Sequence, residues 1–318
     1  MASLDIIIVN WNAGEQLKQV LESIHQSAMG VHQLNHVVVV DNASNDDSIN
    51  QIRSLSPLIP LQIIENKQNQ GFGKGCNQGA KASQADYLLF LNPDTQLEAD
   101  ALPNLLDFMQ SDEADNQRIG IIGGQLIDDD GTIARSCDRF ITLSTIINDA
   151  IGLSKLSSAR FPGLSMTDWD HHDSRIVDHV MGAMYCIRRE LFETLNGFDE
   201  QFFVYMEDMD LTYRAHQLGW YCYYDTSAQT FHRGGGTTEA IKARRLALFV
   251  HSRIKYALKH FPMWQVVVVV LITFLIEPLT RMSFALLRGN WIDAINSLRG
   301  YLIVLGWILF PKQKRFYG

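Results

Sequence analysis

Three carboxylates, Glu207, Asp208 and Asp210, crowd the segment Phe203-Val204-Tyr205-Met206-Glu207-Asp208-Met209-Asp210-Leu211, whose remaining residues are apolar or aromatic. Like charges repel and burial disfavours ionisation, so such crowding is expected to raise carboxyl pKa values toward the range useful to a general base. The same acids would also suit the first turn of a helix, where the macrodipole favours negative charge. Further polar clusters recur upstream. In Val9-Asn10-Trp11-Asn12 the amides of Asn10 and Asn12 can hydrogen-bond a nucleobase with Trp11 packed beside it, or simply form a turn. Asp41 can accept from a base N–H, while Asn42 to Ser48 offer turn and cap residues. Asn69-Gln70-Gly71-Phe72-Gly73-Lys74-Gly75-Cys76-Asn77 combines glycines that permit close backbone approach with a helix start that favours phosphate. It matches neither a Walker loop nor a dinucleotide fingerprint. Asn92-Pro93-Asp94 supplies one carboxylate able to hold a divalent ion, too few for a closed metal site.

Each of these clusters follows an apolar run. Asp5 to Val9, His36 to Val40, Leu61 to Ile64 and Tyr87 to Leu91 read as strands, and Glu15 to Ile24 has helical spacing. Continuous apolar strands alternating with amphipathic helices predict a doubly wound α/β architecture, a mostly parallel sheet flanked by helices. Ligands of such sheets bind beyond the carboxyl ends of the strands, which gathers Asn10, Asp41, Glu65 or Asn66, Asn92 and Asp94 on one edge.

The 318 residues, 47% of them hydrophobic, suffice for one large α/β domain with an appendage. A formal net charge of −8 argues against a nucleic-acid partner, which would need basic residues to neutralise phosphates. Four dispersed cysteines without a CxxC pair indicate neither zinc nor a disulfide framework, and a reducing cytosol is expected. The opening residues lack the pattern of a secretory signal.

The ordered set Val9-Asn10-Trp11-Asn12, Val40-Asp41-Asn42-Ala43-Ser44, Asn69-Gln70-Gly71-Phe72-Gly73, Asn92-Pro93-Asp94, Gly197-Phe198-Asp199-Glu200 and Glu207-Asp208-Met209-Asp210-Leu211 resembles the family 2 glycosyltransferases over residues 4–240. Within that family it is most similar to rhamnosyltransferases of bacterial cell-surface polysaccharide assembly. The resemblance implies a GT-A fold with a Rossmann-like sheet, inversion at the sugar, and a nucleotide-diphosphate sugar donor, dTDP-rhamnose. It also implies a Mg2+ or Mn2+ ion and a lipid-linked saccharide acceptor. Carried over by motif, Asp208 is the catalytic base and Glu207 an acceptor ligand. Asn10, Asn12, Asp41, Gly71, Gly73, Asn77, Asn92 and Asp94 fall on the donor side. Asn92 stands where the family's DXD motif has its first Asp, which leaves Asp94 as the direct metal ligand.

Val180 to Arg189 implies an acceptor-side wall. Phe231-His232-Arg233-Gly234-Gly235-Gly236-Thr237 offers His232 as an imidazole ligand or phosphate contact ahead of a loop able to close over the donor. Arg135 is a candidate contact for an anionic donor or acceptor, against the common case of a solvated arginine. His171, His172 and Asp173 suit an acceptor loop or plain surface better than a metal site. Beyond residue 240 the character changes, dividing a catalytic domain, 1–240, from a helical extension, 241–318. Trp264 to Ile276 and Tyr301 to Phe310 are apolar runs too short to span a bilayer. Flanking arginines, Trp264, Trp291, Trp307 and the tail Lys312, Lys314 and Arg315 suit helices lying on an anionic membrane surface. The expected location is the cytoplasm, peripheral on the inner face of the inner membrane. A nucleotidyltransferase or an inactive sugar-binding scaffold are the competing classes. The Q-x-x-R-W motif of processive synthases is absent.

Overall fold

A computed structural model describes residues 1–55, 57–233 and 242–310. The glycine loop 234–237, the division at residue 240 and the tail basic residues Lys312, Lys314 and Arg315 lie outside the described residues. The chain forms two compact units, the first built from residues 1–140, 169–200 and 207–233 and the second from 141–168, 201–206 and 242–310.

The first unit is organised by a sheet. Its strands are β1 (Ser3–Asn10), β2 (Gln33–Asp41), β3 (Leu61–Glu65), β4 (Tyr87–Leu91), β5 (Thr95–Leu97), β6 (Ile119–Ile127), β8 (Arg175–Val177), β10 (Met184–Arg188) and β11 (Tyr221–His232). β7 (Cys137–Asp138) and β9 (His179–Val180) form a separate small sheet. The main order is β3-β2-β1-β4-β10-β6-β11-β5, with β8 also on β11. The expected doubly wound α/β half is β3-β2-β1-β4, all parallel. β10 enters antiparallel between β4 and β6, and β5 and β8 also run against β11.

The local causes are plain in the sequence. β4 is buried along its whole length, which requires the unbroken apolar run Tyr-Leu-Leu-Phe-Leu. The helix Glu15–Gln26 buries Leu17, Val20, Leu21 and Ile24, an i, i+3, i+4, i+7 stripe, against the sheet core. Register then aligns the strand ends: Asn10 pairs with Asp41, and Asp41 with Glu65.

In the second unit, helices Lys242–His260 and Trp291–Leu309 bury Leu248, Val250, Tyr301 and Val304 in a common core. Between them a helical stretch runs from Met263 to Leu287, with a π turn at Ile272–Ile276 just ahead of Pro278. A proline lacks the N–H that an α-turn needs, so the local rewinding has an evident cause. This stretch is 25 residues long and the last helix 19, and both are long and apolar enough to cross a membrane. The estimate from uninterrupted apolar runs was therefore too short. Counting stopped at Glu277, but that carboxylate is buried in an ion pair with Arg253, 2.8 Å from its Nη1, while Arg253 Nη2 also donates to Thr273. Tyr301 donates its hydroxyl hydrogen to the same carboxylate.

Candidate active site

At the ends of β1 and β2 the side chains hydrogen-bond one another, although the buried Asn10 Oδ1 has no partner among the described residues. Asp41 Oδ2 accepts the Ser44 N–H, and Oδ1 accepts from the Ser44 hydroxyl at 2.6 Å and from Asn10 Nδ2 at 2.8 Å. Such an Asx turn lets Ala43 hold a left-handed φ of 61°. Asn10 is fully buried, and its amide also faces Ser44 and Ser48. Expected on the donor side, Asn10 holds Asp41 and the following loop through its amide nitrogen. Asn12 Oδ1 accepts the Asn45 N–H, which joins the two strand-end loops.

The glycine segment also has a structural task. Gly71 takes a φ of 92°, its N–H bound by Asn69 and its carbonyl by Asn42. From there the helix Phe72–Lys81 lies hard against its neighbours. A Cβ on Gly75 would stand 2.9 Å from Val9 Cγ1, and one on Gly79 2.5 Å from Ile7 Cγ2. A Cβ on Gly73 would meet Phe198 and Glu207 at 3.2 and 3.4 Å. Gly73, expected on the donor side, thus makes room for protein. Asn77, expected there too, bonds to protein groups. Its Nδ2 donates to the Phe198 carbonyl at 2.8 Å and to Glu200, and its Oδ1 accepts the Phe198 N–H at 2.9 Å. It is a strut between this helix and the turn Gly197-Phe198-Asp199-Glu200.

Asn92 and Asp94 follow β4. The Asn92 N–H is bound by the Ala183 carbonyl, and its own carbonyl accepts from Thr95. Antiparallel pairing sets Thr95 opposite His232, and the Arg233 N–H donates to the Asp94 carbonyl. Asp94 Oδ1 and His232 Nε2 consequently lie 3.5 Å apart with side chains only 15% and 12% exposed. Neighbouring ligands of an octahedral Mg2+ or Mn2+ ion stand about 3 Å apart, and a carboxylate oxygen is a ligand that either ion takes. The pair fits such an ion, as two of the six ligands of its shell. Among the described residues no group of three or more metal-binding side chains occurs.

The acid cluster divides into three environments. Tyr205 and Met206 adopt φ of 66° and 70°, consecutive left-handed residues that turn the chain into the helix Glu207–Gln217. Asp210 is fully buried and paired with Arg214 at 2.8 Å, and that guanidinium also binds the Leu195 and Gly197 carbonyls. Glu207 is buried with Oε2 unpartnered. Burial first, then the Asp208 charge, pushes its carboxyl well above the usual range. Asp208 retains 19% exposure. Burial pushes its carboxyl up, but His179 and the N–H groups of Met209 and Gly182 outweigh it and hold the group below the usual range. The expectation that crowding raises the acids therefore fails at Asp208, because these donors come from segments distant in sequence or from the backbone. Asp208 Oδ1 lies 2.8 Å from Met209 N, and Oδ2 lies 3.0 Å from Gly182 N and 3.5 Å from His179 Nε2.

Arg135 lies in the irregular stretch between the Ile127–Ile133 bridge and β7, within electrostatic reach of His171. Its neighbours Ala134 and Ser136 hydrogen-bond Leu126 and Met181, and Met181 precedes the Gly182 that touches Asp208. His171, expected in a loop or on the surface, is fully buried with a φ of 61° and stacks on Trp169 at 4.1 Å. Burial lowers its pKa, so it is a core histidine, while His172 is exposed. Sequence reasoning missed His179, Gly182 and Thr212 as neighbours of Asp208. Only Thr212, four residues on and hence on the same helix face, carried a usable signal.

With this geometry in hand, comparison with known proteins agrees. The sequence matches the model of glycosyl transferase family 2 over residues 5–134 and that of glycosyl transferase family group 2 over residues 87–311, more than half of the chain. It is similar to the N-acetylglucosaminyl-diphospho-decaprenol L-rhamnosyltransferase of Mycobacterium tuberculosis, 25% identical across 82% of this chain and 86% of that protein. The rhamnosyltransferase WbbL of Escherichia coli K12 is 24% identical across 79% and 91%. The mannosyltransferase PcManGT from Pyrobaculum calidifontis, solved with GDP-Man and Mn2+, superposes with a TM-score of 0.57 over 98% of this chain and 84% of that one, at 15% identity. The sheet is thus of the GT-A type, and the chain belongs to the family 2 glycosyltransferases.

Proposed function

We propose that this glycosyltransferase moves rhamnose from dTDP-rhamnose to a lipid-linked saccharide acceptor with inversion, in cell-surface glycan synthesis. The choice of sugar is supported by the two rhamnosyltransferase relatives. The observation that carries the chemistry is Asp208, the one member of its acid cluster that is both ionised by its surroundings and still open to solvent. In the reaction the acceptor oxygen bonds the anomeric carbon as the bond from that carbon to the diphosphate oxygen breaks. The acceptor proton goes to Asp208 and the electron pair leaves with the diphosphate. Glu207 lies beside it as the acceptor ligand, its carboxyl pKa pushed up by burial and by the Asp208 charge. On the donor side Asp41 takes the base, with Asn12 and Gly71 in the loops around it, and Asn92 takes the diphosphate. Asp94 and His232 would hold Mn2+ or Mg2+, which when bound supplies charge to stabilise the leaving diphosphate. Arg135 serves the anionic part of the acceptor.

Residues 1–240 form the catalytic part and 241–318 an attachment to the cytoplasmic face of the inner membrane. Exposed Trp264, Val267, Leu271, Leu275 and Leu279 recur every three or four residues, an apolar stripe without a protein partner among the described residues. Calorimetric titration with dTDP, UDP and GDP, with and without Mn2+, tests the donor reading. Metal-assisted dTDP binding weakened by Asp41→Ala and Asp94→Ala is expected, and folded protein that binds no nucleotide would overturn it. Asp208→Asn should lose nearly all transfer while keeping donor binding.

A further inference from the structure

Behind Asp208 lies a buried polar chain that the reaction above leaves without a part. His179 is 3% exposed, with Nε2 3.5 Å from Asp208 Oδ2 and Nδ1 3.2 Å from Thr212 Oγ1. Thr212 Oγ1 is 2.9 Å from the Tyr185 hydroxyl and 2.9 Å from the Asp208 carbonyl. All four residues belong to the first unit. Thr212 has one hydroxyl hydrogen and two claimants. If that hydrogen goes to the Asp208 carbonyl, Nδ1 must carry its own hydrogen to meet the Thr212 lone pair. If it turns to Nδ1, the ring is neutral. With the Thr212 hydrogen on Nδ1, the single ring hydrogen sits on Nε2 and faces Asp208; with Nδ1 as the donor, Nε2 carries a hydrogen toward Asp208 only in the doubly protonated ring, and in both arrangements Tyr185 donates to Thr212. Burial holds the Tyr185 hydroxyl protonated, which keeps it a donor.

Glu207 and Asp210 on its helix, Tyr185 on β10 and Cys76 on the helix Phe72–Lys81 add acidic groups around Asp208, and the cation of that helix, Arg214, is taken up by Asp210. Asp138 on β7 stands opposite His179 in the antiparallel backbone register of β7 and β9. His179 is therefore the counterweight to negative charge at this carboxylate. A separation of 3.5 Å is long for a hydrogen bond, and such contacts tighten in a reactive complex.

We propose that His179 is a positioning residue for Asp208, holding its carboxylate oriented to take the acceptor proton, with Thr212 and Tyr185 fixing the imidazole from behind. This rests on Asp208 as the base. The test follows the Asp208 carboxyl carbon by NMR in full-length detergent-solubilised protein carrying 13Cγ-aspartate, the signal assigned by its loss in Asp208→Asn. The titration midpoint should rise by about one to three pH units in His179→Leu, the range set by an opposite charge or strong donor. It should rise less in His179→Gln, which keeps a neutral N–H. An unchanged midpoint in folded His179→Gln overturns the proposal, whether or not the leucine variant folds. A parallel assay of dTDP release from dTDP-rhamnose separates the two ideas. Undiminished release by Asp208→Asn removes the base reading and with it the role of His179, whatever the titration. Loss in that variant, with the acid limb of His179→Gln displaced to higher pH, supports both.

Discussion

Replacing Gly79 by alanine tests whether the glycines of the helix Phe72–Lys81 serve packing or phosphate. The new Cβ would lie 2.5 Å from Ile7 Cγ2 and 3.2 Å from Cγ1. Carbon atoms rest about 3.5–4.0 Å apart, so the gap must open by about 1 Å. Ile7 is 1% exposed on β1, between β2 and β4, and its branched side chain has little rotamer freedom. Overpacking of this kind costs about 1–3 kcal/mol, and the better helix propensity of alanine returns about 1 kcal/mol. The net loss should be about 0–2 kcal/mol. Ile7→Ala alone should cost about 2–5 kcal/mol through its cavity. Together the two changes relieve each other, so the double variant should be more stable than the sum by about 1–3 kcal/mol. Guanidinium unfolding of the full-length proteins in mild detergent, followed by near-ultraviolet circular dichroism, gives all four corners of the cycle. Additivity within about 0.5 kcal/mol would refute the packing reading. So would a Gly79→Ala protein of full stability that has lost nucleotide affinity.

Glu207 should give a pH-dependent signature in stability. Its folded pKa lies above the unfolded value, so its favourable contribution is complete below the unfolded pKa and lost as pH rises through the raised folded value. Glu207→Gln, which imitates the protonated acid, should match the wild type near pH 4 and exceed it near pH 8 in thermal unfolding. Asp208, with a lowered pKa, contributes in the opposite sense, and that contribution fades as pH falls through its folded value. For the apolar stripe, Leu271 and Leu279 are 51% and 67% exposed. Leu271→Asp combined with Leu279→Asp should leave the fold intact yet abolish co-sedimentation with vesicles containing phosphatidylglycerol. Undiminished sedimentation would remove the membrane assignment.

The parallel half of the sheet was legible because each strand is a short apolar run ending in a polar residue, and period and length alone decide such segments. What remained hidden depends on residues distant in sequence. Nothing in Met184 to Arg188 announces that this strand inserts antiparallel between β4 and β6. Asn77 was assigned to the donor because its partner Phe198 is 121 residues away. Three acids in one segment looked equivalent, and only Arg214 and His179 distinguish them. The length of the apolar helix was misjudged because a buried Glu277 looks the same in sequence as an exposed one.

That glutamate also bears on how the second unit assembles. Apolar helices slide past one another with little change in energy, because one leucine contact resembles the next. The clasp of Arg253, Thr273, Glu277 and Tyr301 joins three helices through polar atoms that match at a single alignment. A slip of one turn, about 5.4 Å, would leave a guanidinium and a carboxylate among side chains unable to bind them, a penalty of several kcal/mol. The ion pair thus acts as a key in a lock, rejecting misaligned bundles, and a chain carrying both Arg253→Met and Glu277→Leu would keep its helices while losing their shared alignment.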